Sequence, residues 1–172
     1  AWGTALAKHL AEKGLEIRLW AHEREVVDSI NTTHENRVFL PAVPLPRTLI
    51  ATTSLTEAIE QRDGILFVVP SHVTRQVLRK MASSLSHPIP FISATKGVEE
   101  DSSKLMTQIM DEVLPESMEQ YLMALSGPSF ASELSAGKPT AVCLAGRDAQ
   151  LVARFQTALM TPALRVYADT DL

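Results

Sequence analysis

Three stretches of the chain carry residue types suited to holding a polar, anionic ligand. The first is Ser93-Ala94-Thr95-Lys96-Gly97-Val98-Glu99, which follows the short apolar run Pro90-Phe91-Ile92. A lysine and a glycine at the end of such a strand stand where open α/β sheets place ligands, in the crevice outside the carboxyl ends of the strands. Lys96 there is a cation suited to a small anionic substrate; the plainer reading is a solvated lysine in an exposed loop. The second is Trp2-Gly3-Thr4, at the start of a helical pattern whose first N–H groups and dipole favour an anion. In a G-x-G-x-x-G fingerprint the third glycine permits close helix–strand packing. Gly3 fits that place, but the first two glycines are not in the sequence, and an isolated helix-start glycine is more often a plain structural residue. The third is Ser126-Gly127-Pro128-Ser129-Phe130-Ala131. It reads either as turn chemistry with a helix cap or as a loop whose Ser129 hydroxyl and N–H groups bind a polar ligand.

Two weaker candidates lie between these. At the end of the second strand of a dinucleotide fold, an acid binds a free ribose 2′-OH and a basic group accommodates a 2′-phosphate. Trp20-Ala21-His22-Glu23-Arg24 offers both kinds, with a lean toward a 2′-phosphate and so NADP; His22 as a solvated loop histidine reads as well. Val69-Pro70-Ser71-His72 lines the crevice or, the slightly favoured reading, is a helix stop and start with Ser71 as N-cap. The five histidines are scattered, so no metal site is expected, and no Ser/His/Asp order stands out. Taken together, the stretches suggest two ligands meeting around Lys96, a dinucleotide and a phosphorylated small molecule.

These residues need elements to carry them. Helices are expected over 3–13, 23–31, 71–85, from Ser102 or Ser103 onward, and over 150–160, with a helical turn from Ser129. The opening helix repeats Trp2, Leu6 and Leu10 on one face. Strands are expected at 15–20, 49–51, 64–69, 89–93, 121–125, 140–144 and 164–167. The continuous apolar run Gly64–Val69 suits a strand buried in a parallel sheet. Ser54-Leu55-Thr56-Glu57 is a capping box opening a short helix. Residues 32–47, with Pro41, Pro44 and Pro46, read as irregular. The alternation predicts an α/β fold, a doubly wound, mostly parallel sheet with helices on both faces.

At 172 residues the chain suits one domain, or one and part of another, with a sizeable core. A net charge of −4 gives no electrostatic case for nucleic acid or an anionic membrane surface, so any phosphate must be bound by local chemistry. Cys143 is the only cysteine, which rules out an internal disulfide and suits a reducing compartment. No apolar run approaches the roughly 18 residues of a membrane span.

Six blocks carry a resemblance. Trp2-Gly3-Thr4-Ala5-Leu6-Ala7, Leu19-Trp20-Ala21-His22, Phe39-Leu40-Pro41, Val68-Val69-Pro70-Ser71, Ala94-Thr95-Lys96-Gly97 and Ser126-Gly127-Pro128-Ser129-Phe130-Ala131-Ser132-Glu133 occur in this order and at about these intervals. The chain resembles, over essentially its whole length, the bacterial NAD(P)-dependent glycerol-3-phosphate dehydrogenases.

The resemblance implies a Rossmann-like dinucleotide-binding domain over 1–172. Ala1 and Trp2 would lie in the phosphate-binding turn, with Gly3 as its last glycine. His22 would sit near the adenosine end of NADP or NAD. Lys96 would contact cofactor and substrate, Gly127 and Ser129 the substrate, and Ala131 the cofactor. The implied reaction moves hydride between nicotinamide and C2, interconverting dihydroxyacetone phosphate and sn-glycerol 3-phosphate for phospholipid synthesis. The family's first strand, with its first two glycines, is expected before Ala1, and its all-helical C-terminal domain after Leu172. That domain carries the general acid/base lysine, so no catalytic residue is expected within 1–172, and these residues alone are expected not to turn over. The partner expected is a phosphorylated small molecule, with the oligomeric state, a homodimer among its options, left open; the place expected is the cytoplasm, without nucleic acid or an integral membrane segment. Two other functions stay open: another two-domain hydroxyacid or sugar-acid dehydrogenase, against which Gly127-Pro128-Ser129-Phe130 argues, and a non-catalytic nucleotide-sensing domain.

Overall fold

Alternating helix and strand patterns set the order of elements. In the computed structural model, which describes all of residues 1–172, they run α1 (Trp2–Glu12), β1 (Arg18–Trp20), α2 (Arg24–Thr33), β2 (Glu35–Asn36), β3 (Leu40–Pro44), β4 (Ile50–Thr52), α3 (Leu55–Ile59), β5 (Ile65–Phe67) and α4 (Thr74–Ala82). There follow β6 (Phe91–Ser93), α5 (Met106–Val113), β7 (Leu122–Ser126), α6 (Ala131–Ser135), β8 (Thr140–Gly146), α7 (Ala149–Leu159) and β9 (Leu164–Asp169). The strands form three sheets: β1 with β4, β2 with β3, and a five-stranded sheet in the order β5-β6-β7-β8-β9. β1 and β4 pair in parallel, as do β5, β6 and β7; β8 runs antiparallel to β7. The α/β class and the mostly parallel pairing expected from the alternation hold. No helix is long and apolar enough to cross a membrane.

The chain forms two compact units. One comprises residues 1–60, 129–140 and 161–165, the other residues 61–128, 141–160 and 166–172.

In the first unit, Ala7 and Ala11 of α1, Val26, Val27 and Ile30 of α2, and Leu45, Leu49 and Ala51 form one apolar cluster. α2 also holds β4 by a polar link. The Asn31 side chain donates to the Ala51 carbonyl and accepts from the Ala51 N–H, both at 2.9 Å. Residues 35–44, expected to be irregular, instead include the antiparallel pair β2–β3, with a register shift at Glu35/Asn36. The prolines are tolerated because the pair is isolated, with open edges that need few ladder donors. The capping box at Ser54 forms by half. Ser54 Oγ accepts from the Glu57 N–H at 3.2 Å, but the Glu57 carboxylate turns to Thr52 Oγ1 at 2.6 Å and Arg18 at 3.0 Å. A longer-range cation and hydroxyl outcompete the local return bond.

In the second unit, β6 is buried throughout, and Phe91 packs its ring 5.4 Å from that of Phe67. The run 64–69, read as a fully buried strand, is one only at Ile65–Phe67, and only Phe67 in it is buried. β5 is an edge strand of its sheet, which leaves the run partly exposed. Two expected caps do not form. Ser71 is the first residue of a 3-10 turn, Ser71–Val73, that no side chain caps. α5 starts at Met106 rather than after Ser102 or Ser103, because Ser103 has a left-handed φ of 55° that helical backbone cannot take. There the Gln108 side chain accepts from the Leu105 N–H at 2.9 Å.

Candidate anion-binding rim

The second unit gathers three loops at the carboxyl ends of β5, β6 and β7. The loop after β6 is tied to β5: the Ala94 N–H donates to Phe67 O at 2.9 Å, and Thr95 Oγ1 accepts from the Val69 N–H at 3.2 Å. Gly97 turns the chain with φ +95°, and a Cβ there would lie 3.4 Å from Ser71 Oγ, so this loop and the Ser71 turn are neighbours. From the same loop the exposed Lys96 donates its Nζ to the Gly127 carbonyl at 3.3 Å. Gly127 is itself fixed: it follows β7 with φ +154°, and a Cβ would meet Ala141 O at 2.9 Å and Val142 Cα at 3.0 Å on β8. Glycine is required there because only hydrogen fits between the two backbones. Two of the residues singled out in the sequence, Lys96 and Gly127, are thus brought together, and Ser71 joins them.

An ionic cluster that the sequence reading missed stands beside this rim. Arg75, in the first turn of α4, grips Glu99 through Nε at 2.8 Å and Nη2 at 2.9 Å, and reaches Glu112 of α5 at 2.9 Å. Ser102 Oγ donates to Glu99 at 2.5 Å, and Lys104 pairs with Glu112. Hydrogen bonds from Arg75 first, then Ser102, hold the Glu99 carboxyl down to about 2. Those from Lys104 and Arg75 lower Glu112, and the two carboxylates together raise Arg75. Arg75 is 24 residues from Glu99 and further still from Glu112, separations at which no helical or strand period signals a contact.

The other expected site residues belong to the first unit. Ala1 precedes α1 and Trp2 and Gly3 open it, and no side chain caps this end. α1 packs against α6, whose first residue is Ala131. Ser129 is buried one residue before the N-cap of α6, which is Phe130, so Ser129 does not cap that helix as its turn chemistry suggested. His22 is exposed just past β1, its ring 6.3 Å from Trp20. A second missed residue is Asn36, buried at 2% exposure. Its side chain donates to Thr4 Oγ1 in the first turn of α1 at 2.8 Å and accepts from the Phe39 N–H at 3.0 Å. No group of three or more His, Cys, Asp or Glu side chains comes together in a way that could hold a metal ion.

A family model, NAD-dependent glycerol-3-phosphate dehydrogenase N-terminus, matches residues 1–152. The chain belongs to this family. The glycerol-3-phosphate dehydrogenases, NAD(P)+, of Geobacter sulfurreducens and Myxococcus xanthus are 42% and 40% identical to it over its whole length. Among solved structures, glycerol-3-phosphate dehydrogenase from Coxiella burnetii matches 99% of the chain with a TM-score of 0.89 at 34% identity. The chain spans 51% of the length of each of these dehydrogenases. The fold is the Rossmann-like N-terminal domain of glycerol-3-phosphate dehydrogenases, as the six sequence blocks implied.

Proposed function

We propose that residues 1–172 are the dinucleotide-binding domain of a glycerol-3-phosphate dehydrogenase that interconverts dihydroxyacetone phosphate and sn-glycerol 3-phosphate with NADP(H) or NAD(H). The observation that carries this reading is the Lys96 amine, anchored on the Gly127 carbonyl at the carboxyl ends of parallel strands β6 and β7. A fixed cation at that edge suits a phosphorylated triose.

The start of α1 fits a dinucleotide pyrophosphate. No side chain caps it and its first turn holds no acid that would repel an anion. A nicotinamide cofactor supplies or takes up the hydride at C2 of the substrate. The chain's residues bind and orient. Ala1, Trp2, Gly3 and Ala131 hold the cofactor, and His22 meets its adenosine end. Lys96 contacts cofactor and substrate, while Gly127 and Ser129 contact the substrate. The alkoxide that develops at C2 needs a proton donor, a role assigned to none of these residues and expected of the family's lysine past Leu172. The same reading has the enzyme acting in the cytoplasm, as a homodimer, supplying glycerol 3-phosphate for phospholipid synthesis.

The test is Lys96→Ala in the full-length protein, assayed by NADPH oxidation with dihydroxyacetone phosphate. kcat/KM is expected to fall on the order of a hundredfold, roughly 2.7 kcal/mol of lost transition-state stabilisation. An unchanged kcat/KM rejects the role of Lys96 and, with it, this reading of the rim.

A further inference from the structure

Lys96 lies on a turn held at both ends. On the amino side, Ala94 and Thr95 are bonded to Phe67 and Val69 of the neighbouring strand and its exit. On the carboxyl side, only Gly97 and Val98 separate Lys96 from Glu99. Glu99 is held through side chain and backbone alike. Its carboxylate accepts Arg75 Nε and Nη2 at 2.8 and 2.9 Å and Ser102 Oγ at 2.5 Å. Its N–H donates to Lys104 O at 3.0 Å, and its carbonyl accepts from the Ser103 N–H at 2.8 Å. A single β-bridge between Val98 and Leu105 closes the loop. Arg75 is in turn paired with Glu112, so the loop is fastened to both α4 and α5.

A lysine side chain has four carbons and large rotamer freedom, so the place of its amine depends on where the backbone holds its Cα. Gly97, with φ +95°, supplies the turn but no stiffness of its own. The stiffness comes from the bidentate arginine–carboxylate pair, whose planar fork fixes direction as well as distance.

We infer that Glu99, clamped by Arg75 and Ser102, is a positioning residue that fixes the Lys96–Gly97 turn and thereby aims the Lys96 amine at the anionic substrate. This rests on the reading that Lys96 meets the substrate. Glu99 touches no reacting atom and acts only through Lys96. Its carboxyl, held down to about 2, stays ionised across the neutral range, so the clamp does not open there.

The experiment is a double-mutant cycle in the full-length enzyme: wild type, Glu99→Gln, Lys96→Ala and the double variant. Each is measured for KM of dihydroxyacetone phosphate, KM of NADPH, and thermal midpoint. Glu99→Gln is expected to raise KM for dihydroxyacetone phosphate on the order of tenfold and to change KM for NADPH by less than about twofold. In the Lys96→Ala background it is expected to add nothing to KM. If Glu99→Gln changes nothing while Lys96→Ala weakens the substrate, the positioning role falls and the site reading stands. If Glu99→Gln costs the same factor in both backgrounds, its effect does not run through Lys96 and the inference is overturned. If Lys96→Ala itself has no effect, the site reading falls and takes the inference with it. Should Glu99→Gln not fold, Ser102→Ala removes one of the three bonds and leaves the Arg75 pair. The same cycle then expects a KM rise of about two- to threefold that vanishes without Lys96.

Discussion

Replacing Gly127 by alanine adds one carbon where the structure has no room for it. The new Cβ would stand 2.9 Å from Ala141 O, 3.0 Å from Val142 Cα and 3.3 Å from Val142 Cγ1. Two of these three are backbone atoms of β8, which cannot swing aside as a side-chain tip can. The backbone angle, φ +154°, also lies where an L-residue is strained, at a cost of about 1–3 kcal/mol. Relieving the overlap means moving β7 from β8, and overpacking of this kind adds about 1–3 kcal/mol. A total near 3 kcal/mol corresponds to a fall in thermal midpoint of about 6–12 °C for a chain of this size. The comparison that isolates the clash is Gly97→Ala. It shares a positive φ, +95°, but its new Cβ meets only the Ser71 side chain, Oγ at 3.4 Å and Cβ at 3.7 Å, and no backbone atom. The expected cost there is about 1 kcal/mol. Urea and thermal unfolding of both variants, followed by circular dichroism, measure the difference. If Gly127→Ala proves no more destabilising than Gly97→Ala, the close approach of β7 and β8 at residue 127 is not what fixes the Lys96 anchor.

Asn36→Ala leaves Thr4 Oγ1 and the Phe39 N–H without the partners given above. It is expected to lower stability by about 2–3 kcal/mol in the same unfolding assay; a loss under about 0.5 kcal/mol would mean that water replaces the amide. His22→Ala in the full-length protein is expected to narrow any preference for NADPH over NADH, read as the ratio of kcat/KM values; an unchanged ratio counts against a 2′-phosphate contact. Glu99 predicts a pH dependence of stability. Its folded-state carboxyl is depressed from 4.5 to about 2, so its contribution is full above pH of about 4.5 and fades as pH falls toward about 2. The gap in thermal midpoint between wild type and Glu99→Gln should therefore be constant near neutrality and close in acid; a gap that closes on raising the pH instead would contradict the assignment.

What the sequence made legible was local. The periodicity of Trp2, Leu6 and Leu10 located α1, and the short apolar runs located β5, β6 and β7 to within a few residues. Lys96 and Gly127 could be placed at one edge of the sheet because residues soon after parallel strands leave at the carboxyl ends, and the structure bonds one to the other. The failures lie where a distant residue overrides a local rule. Glu57 follows Ser54 at capping-box spacing, yet Thr52 and Arg18 take its carboxylate. Ser102 looked like a helix cap but serves Glu99. Asn36 sits in a proline-rich stretch with no period to mark it as buried, and its partner Thr4 is 32 residues away. Burial of the run 64–69 was over-read because apolar composition cannot tell an edge strand from a central one.

The Asn31 carboxamide has a consequence for how this chain avoids sticking to others. β4 pairs with β1 along one side, so the N–H and C=O of Ala51 point the other way, toward what would otherwise be a bare strand edge. Asn31 meets both groups as one more residue of backbone would, in a single complementary pair of bonds. A foreign strand arriving at that edge finds its first docking points already taken. A helix side chain thus does there what a charged or bulged border does in other sheets, shielding the margin from amyloid-like addition.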